Sequence, residues 1–224
     1  MTYLSRIHLN PRSGRVQHEL ADCQRLHCTI LAAFPDISND AARAALGILY
    51  RVEDAVAPPQ VLVQSAAAPD WSALPRDSIL SDPHVLRIDQ VYASLEEGQN
   101  FRFRLRANPT KRVFRETPRG GRSWVGKRVN LIREEDQIAW LQRKAEAGGF
   151  DLLRVTTARD VPNVRTSAQP RTRGRRDGRQ LTFGSVLFDG ELRVTDPDRL
   201  RDTLKSGIGS GKAYGFGLLS IAAG

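Results

Sequence analysis

Lysine is scarce in this chain, with 5 residues against 29 arginines. Cysteine is scarcer, with Cys23 and Cys28 alone. They lie five apart on one helical pattern, where the side chains point away from each other. That spacing argues against a disulfide framework and against a zinc site, and it fits a reducing, cytoplasmic setting. No HxH, HExxH or DxD cluster offers a ligand set to a metal, and no GxSxG elbow marks a serine hydrolase. No run of residues approaches the roughly 20 apolar positions of a membrane span. Met1–Arg6 leads straight into strand-like sequence without a signal-peptide pattern. No cofactor, metal or membrane contact is therefore expected.

A chain of 224 residues, 40% hydrophobic, can build one large domain or two small ones. Its net charge of +9 is unevenly placed. Residues 1–100 balance to −4, residues 101–180 to +13, and residues 181–224 to zero. The basic excess thus sits in one segment and is mostly arginine, whose planar fork suits phosphate oxygens and base edges. A localised arginine field is the footprint of a polyanionic partner. The plain alternative is a solvated basic face.

The apolar spacing predicts a strand over Tyr3–Asn10 and a helix over Val16–Phe34, ended by Pro35. Strands follow over Ile48–Val52, Gln60–Gln64 and Val85–Tyr92, with a weakly patterned stretch from Ala66 to Asp82 anchored by Trp71. The second half predicts strands over Phe101–Val113 and Ser123–Leu131, then a helix over Glu134–Ala147 stopped by Gly148-Gly149. Next come a strand over Phe150–Thr157, a mobile loop over Gln169–Arg179, and a strand over Gln180–Val194. A helix over Pro197–Ser206, a glycine loop over Gly207–Gly211 and a closing strand over Tyr214–Ala222 complete the chain. Each half reads as strand, helix, two strands, helix, strand. The predicted fold is therefore α+β, two tandem ferredoxin-like βαββαβ domains, residues 1–95 and 96–224. The second helix of the first half is its weakest element.

Phe101–Asn108 alternates strictly. In a strand, Arg102, Arg104, Arg106 and Asn108 share one face, about 6.7 Å apart, while Phe101, Phe103 and Leu105 face the core. With no compensating acid in the segment, this row reads as a phosphate-binding stripe, extended by Lys111 and Arg112. An arginine-faced sheet edge is the bland alternative. Arg171, Arg173, Arg175, Arg176 and Arg179 form a flexible arm of the kind that orders on RNA. Gly207–Lys212 is not a P-loop, because its strand and helix come in the wrong order. Its bare amides can still form an anion nest, and Lys212 is a candidate contact. Lys212–Phe216 partly echoes an RNA-binding aromatic motif, but it closes the chain and carries no weight. His27 lies near the centre of the first helix's apolar stripe, where a neutral core histidine is the simplest reading.

Phe103–Lys111 (FRLRANPTK), Gln137–Arg143 (QIAWLQR) and Gly207–Leu218 (GIGSGKAYGFGL) together resemble the CasE family of CRISPR endoribonucleases. So do Tyr3-Leu4-Ser5 and the Leu26-His27 pair, and the matches run in order over nearly the whole chain. The resemblance implies tandem ferredoxin-like domains that recognise the hairpin of a CRISPR repeat. It implies metal-independent cleavage of the precursor transcript at the 3′ base of the stem, and retention of the product within the Cascade complex beside its other subunits. It places the catalytic histidine at His27. The family often carries tyrosine three residues earlier, where this chain has Gln24, which can donate a hydrogen bond but cannot shuttle a proton. Lys111, Lys127, Arg128 and Lys212 are candidates to stabilise the transition-state charge. Two other functions remain open on the residues: a hairpin-binding subunit that does not cut, and a general RNA-binding protein.

Overall fold

A computed structural model of the chain describes residues 1–35, 42–54, 56–113, 125–156 and 160–224. The first half holds β1 (Tyr3–His8), α1 (Gly14–Ala21), α2 (Cys23–Leu31), a one-turn α3 (Ala42–Ala45), β2 (Leu49–Glu53), β3 (Gln60–Ser65), β4 (His84–Arg87) and α4 (Asp89–Ala93). Then come β5 (Asn100–Ala107), β6 (Thr110–Arg112), β7 (Arg128–Asn130), α5 (Glu134–Ala147), β8 (Phe150–Leu152), β9 (Arg154–Thr156) and β10 (Asp160–Pro162). The chain ends with β11 (Val164–Arg176), β12 (Arg179–Val194), α6 (Pro197–Ser206) and β13 (Leu219–Ala223). Among the described residues no helix is long and apolar enough to cross a membrane.

Two antiparallel sheets carry the fold. The first has the order β2-β3-β1-β4. The second runs β13-β5-β12, with β8 on the last residues of β12 and β11 along the rest of it. Counted within each half, both follow the interleaved order of a ferredoxin-like βαββαβ unit, as expected. In the first half, two single 3-10 turns, Trp71–Ala73 and Arg76–Ser78, stand where the second helix belongs. Trp71 closes that side of the core, and its indole N–H donates to Ser5 Oγ at 2.9 Å.

Ile7, Leu26, Ile30, Tyr50, Val63 and Trp71 form the first core. Phe103, Leu105, Trp140, Phe150, Phe188 and Leu204 lead the second, which Tyr92 and Leu95 of the connecting segment join. The two halves are tied chiefly through main-chain carbonyls. Tyr50 Oη donates to Ala213 O, Arg51 Nη1 to the carbonyls of Arg104 and Leu218, and Gln64 Nε2 to Leu204 O. In return, Arg106 reaches Val52 O, and Arg201 reaches the carbonyls of Tyr92, Ala93 and Leu95.

Several expected boundaries move. The single helix over Val16–Phe34 is two, broken at Asp22, which is extended (φ −130°, ψ 103°) and caps α2 by accepting from Gln24 N and Arg25 N. The Val85–Tyr92 strand turns helical at Asp89. The Phe101–Val113 strand is interrupted at Asn108-Pro109, because proline cannot donate to the ladder. Phe150–Thr157 divides into β8 and β9, and Thr157 lies outside the described residues. So do the first two residues of the expected Ser123–Leu131 strand, of which Arg128–Asn130 pairs.

The larger correction concerns Gln169–Arg179. This is no loop: it forms the distal part of the β11–β12 hairpin, closed by Asp177-Gly178, both at positive φ (48° and 74°). Its ladder partners on β12, Leu181 and Phe183, supply the apolar groups that this stretch lacks.

Candidate active site and RNA-binding surfaces

The break at Asp22 decides where Gln24 and His27 sit. It starts a fresh helix, so Gln24 and His27 occupy its first two turns, half-buried, at the junction between the two sheets. The His27 ring meets the Tyr214 ring edge-on, with centroids 5.8 Å apart and planes at 64°. Tyr214 Oη donates to Gln24 Oε1 at 3.1 Å, and Gln24 Nε2 reaches Cys28 Sγ at 3.4 Å. Gln24 therefore anchors the aromatic ring that packs on His27.

Tyr214 arrives on a tight turn, Lys212–Tyr214, bracketed by Gly211 and Gly215 in the left-handed region. Phe183 of β12 leans on Tyr214 at 5.1 Å and on Phe216 at 5.8 Å, fixing the turn from the other side. Sequence reasoning gave Tyr214 no role. The signal lay in the glycines on either side of it, which hold a side chain at a defined angle.

The hairpin arm completes the site. Thr172 and Gly174 turn toward α2, while Arg171, Arg173 and Arg175 are exposed. A Cβ on Gly174 would lie 2.8 Å from both Asp22 Oδ1 and Cys23 Sγ, so the absent side chain is what lets the arm seat. Gly174→Val should lift the arm from α2. We expect cleavage to fall at least tenfold with a loss of stability of about 1–3 kcal/mol; full activity in this variant would show that the seating is dispensable.

Burial, then the Arg43 and Arg176 guanidiniums, hold the His27 imidazole below its ordinary value. Its neutral form, the one able to accept a proton, thus persists to lower pH than in an ordinary histidine. The acidic limb of kcat/KM should lie below the usual imidazole range, and Arg176→Ala should move it upward. A limb that stays in place on this substitution would exclude Arg176 from the field at His27. Lys212 is likewise lowered, by burial first and then by Arg43 and Lys144.

The residues expected to bind RNA fall into three groups. On β5, Arg102, Arg104 and Arg106 do share a face, opposite buried Phe103 and Leu105. Their charge, however, is not uncompensated. Arg104 pairs with Asp189, its cross-strand neighbour, at 2.6 Å and with Glu53 at 3.3 Å. Arg106 is half-buried, bonded to Ser185 Oγ and stacked 5.6 Å over Phe216, and Arg102 donates to Ala223 O. The acids come from elsewhere in the chain, which the local pattern could not reveal.

The second group is the arm, where Arg171, Arg173, Arg175 and Arg179 are exposed and Arg176 reaches the neighbourhood of His27. A cleft of about 430 Å³ between α2, β2 and the arm is lined by Arg106, Arg171, Arg173, Tyr50 and Tyr214. The third group lies beyond β5. Lys111 and Arg112 on β6 face Val129 and Arg128 across the ladder, with Lys127 just before β7. Asn108 is buried at the end of β5, beside the glycine loop that carries Lys212.

Comparison with known proteins agrees with this arrangement. The family described as CRISPR associated protein matches residues 2–223. The CRISPR-associated endoribonuclease Cse3 of Thermus thermophilus is 36% identical over 98% of this chain and 99% of its own. The Cascade subunit CasE of Escherichia coli is 34% identical, covering 90% and 92%. The structure of Thermus thermophilus Cse3 bound to an RNA representing a pre-cleavage complex superposes with a TM-score of 0.77, at 36% identity and over 99% of this chain and 98% of that one. On the family match and these identities, spanning almost every residue, the chain belongs to the CasE family of CRISPR-associated proteins.

Proposed function

We propose that this protein is a CRISPR RNA endoribonuclease that binds the repeat hairpin, cuts at the 3′ base of the stem, and stays on its product as a subunit of Cascade in the cytoplasm. Similarity to an endoribonuclease and to a Cascade subunit supports the class. The single observation that carries the mechanism is His27, half-buried against Tyr214 and flanked by Arg43, Arg176 and the Lys212 turn. The unit up to about residue 95 brings the catalytic helix, and the unit from 96 onward brings the arm and the glycine loop.

The reaction needs no metal. His27 takes the proton from the ribose 2′-OH, whose oxygen forms a bond to the adjacent phosphorus as the bond to the 5′-oxygen breaks. The leaving 5′-oxygen takes a proton from water, His27 later returns its own proton to solvent, and a 2′,3′-cyclic phosphate remains. Arg176 and Lys212 bear the charge that builds on the phosphorane. Gln24 does not exchange protons; it fixes Tyr214, and Tyr214 fixes the imidazole. The arm's exposed arginines recur at alternate positions, about 6.7 Å apart, and follow the backbone of the stem.

Single-turnover incubation of a labelled cognate hairpin in EDTA tests the reading. One cut, giving a cyclic phosphate end, is the expected result. Tight binding with intact RNA would leave a hairpin-holding subunit, a second reading that Gln24 at the place of the family's frequent tyrosine favours.

A further inference from the structure

A second cavity lies on the other side of the glycine loop from His27. It is an open cleft of about 480 Å³ lined by Arg112, Arg128, Lys144, Lys212, Asn108 and Trp140, with the last turns of α5 and α6 as its floor. Among the described residues no acid lines it, and none of its four described cations has an ion-pair partner. Like charges so gathered repel one another, and an anion among them removes that cost. Asn108 is 6% exposed, gives one amide hydrogen to Ser210 Oγ at 3.4 Å, and leaves its Oδ1 unpaired. An acceptor buried without a partner is costly, and a ligand that donates there relieves it. Gly148 at the end of α5, with Thr203 and Gly207 at the end of α6, lies along the floor, and the hydroxyls of Thr203 and Ser210 add further acceptors. Trp140 supplies an apolar wall. The site therefore combines cations for a phosphate with acceptors and an aromatic wall for a base.

Its place relative to His27 follows from the loop. Lys212 lines the cavity, and Tyr214, two residues on, touches His27. The Cα atoms of these two residues lie within about 7 Å of each other, so one short turn serves both places, and an RNA strand that follows this turn out of the active site comes to the cavity. On the endonuclease reading the nucleotide 5′ of the cut belongs to the stem, so the unpaired nucleotide is the one on the 3′ side. Resting on the endonuclease reading above, we infer that this cavity receives the unpaired nucleotide on the 3′ side of the scissile phosphate. That nucleotide departs with the released fragment, so the site holds the uncut transcript and not the product.

The test uses the full chain and a cognate hairpin made uncleavable by a 2′-deoxy sugar at the scissile position. Replacing the next nucleotide by an abasic residue should weaken wild-type binding about tenfold, the scale of one lost base contact. Ala147→Trp fills the cavity from an exposed position on α5 and should bind both RNAs equally, at the abasic level. Lys144→Ala should weaken the uncut RNA and spare the product hairpin. Equal wild-type affinity for intact and abasic RNA would overturn the subsite while leaving the endonuclease reading in place. So would an equal loss of product binding in Ala147→Trp, or saturation by free adenosine monophosphate with no abasic effect. Failure of the wild type to bind any cognate hairpin would remove the endonuclease reading, and the subsite with it.

Discussion

His27→Ala should abolish detectable cleavage of the repeat hairpin, by a factor of about 10² to 10⁴, and leave hairpin affinity within about twofold. The two effects should separate because the residues proposed to grip RNA and the residue proposed to move the proton lie on different elements. The arm and the β6–β7 pair carry the exposed cations, whereas α2 carries the imidazole. The substitution leaves the Tyr214–Gln24 hydrogen bond untouched, so the aromatic turn keeps its anchor. Tyr214→Phe provides the comparison. It keeps the ring against His27 but loses that bond, and should slow cutting by about tenfold or less. Equal rates for wild type and His27→Ala would place the active site elsewhere, and a parallel loss of binding would make His27 a contact residue.

Arg51→Met should cost about 3–5 kcal/mol of stability, the penalty for breaking a buried ion pair from one side. Arg51 is 2% exposed, the most deeply buried cation in the chain's described part. Its Nε meets Glu53 at 2.7 Å, and its Nη1 serves two carbonyls and Ser220 Oγ in the other half. Methionine fills a similar volume but donates to none of them. Glu53 keeps Arg104 as a partner at 3.3 Å, which holds the loss toward the lower end of that range. Urea unfolding with an unchanged m-value measures it. A loss under about 1 kcal/mol would mean that Arg51 contributes little to joining the two halves.

The parts of this structure that could be read from the sequence are those set by local rules. The Glu134–Ala147 helix has its acids in the first turn and a glycine stop, and it falls where expected. So does Pro197–Ser206, with proline at its start and Asp196 as cap. The alternation of β5 gave its two faces. What stayed hidden depends on contacts far along the chain. The arm lacks apolar residues of its own and is a strand because β12 supplies them. Arg104 looked free because Asp189, its partner, is 85 residues away. The Asp22 break was masked by an apolar stripe that continues across it. The role proposed for His27 came from family resemblance, since its position alone favoured a core histidine.

The seam between the halves is addressed mainly to main-chain oxygens, with Arg104–Glu53, Arg51–Ser220 and Tyr214–Gln24 as its side-chain links. Tyr50, Arg51 and Gln64 bond carbonyls of Ala213, Arg104, Leu218 and Leu204, and Arg106 and Arg201 do the same in reverse. A carbonyl is present whichever residue bears it, provided the backbone keeps its course. Apart from Arg104, Arg106 and Tyr214, which join it themselves, the side chains on β5, on the arm and around the glycine loop are therefore not dictated by the joint they sit beside. Across lineages, the recognition surface can drift with the repeats of each host while the joint persists unaltered. Insertions that shift the path of β5 or β13 would be selected against far more strongly than changes in their outward residues.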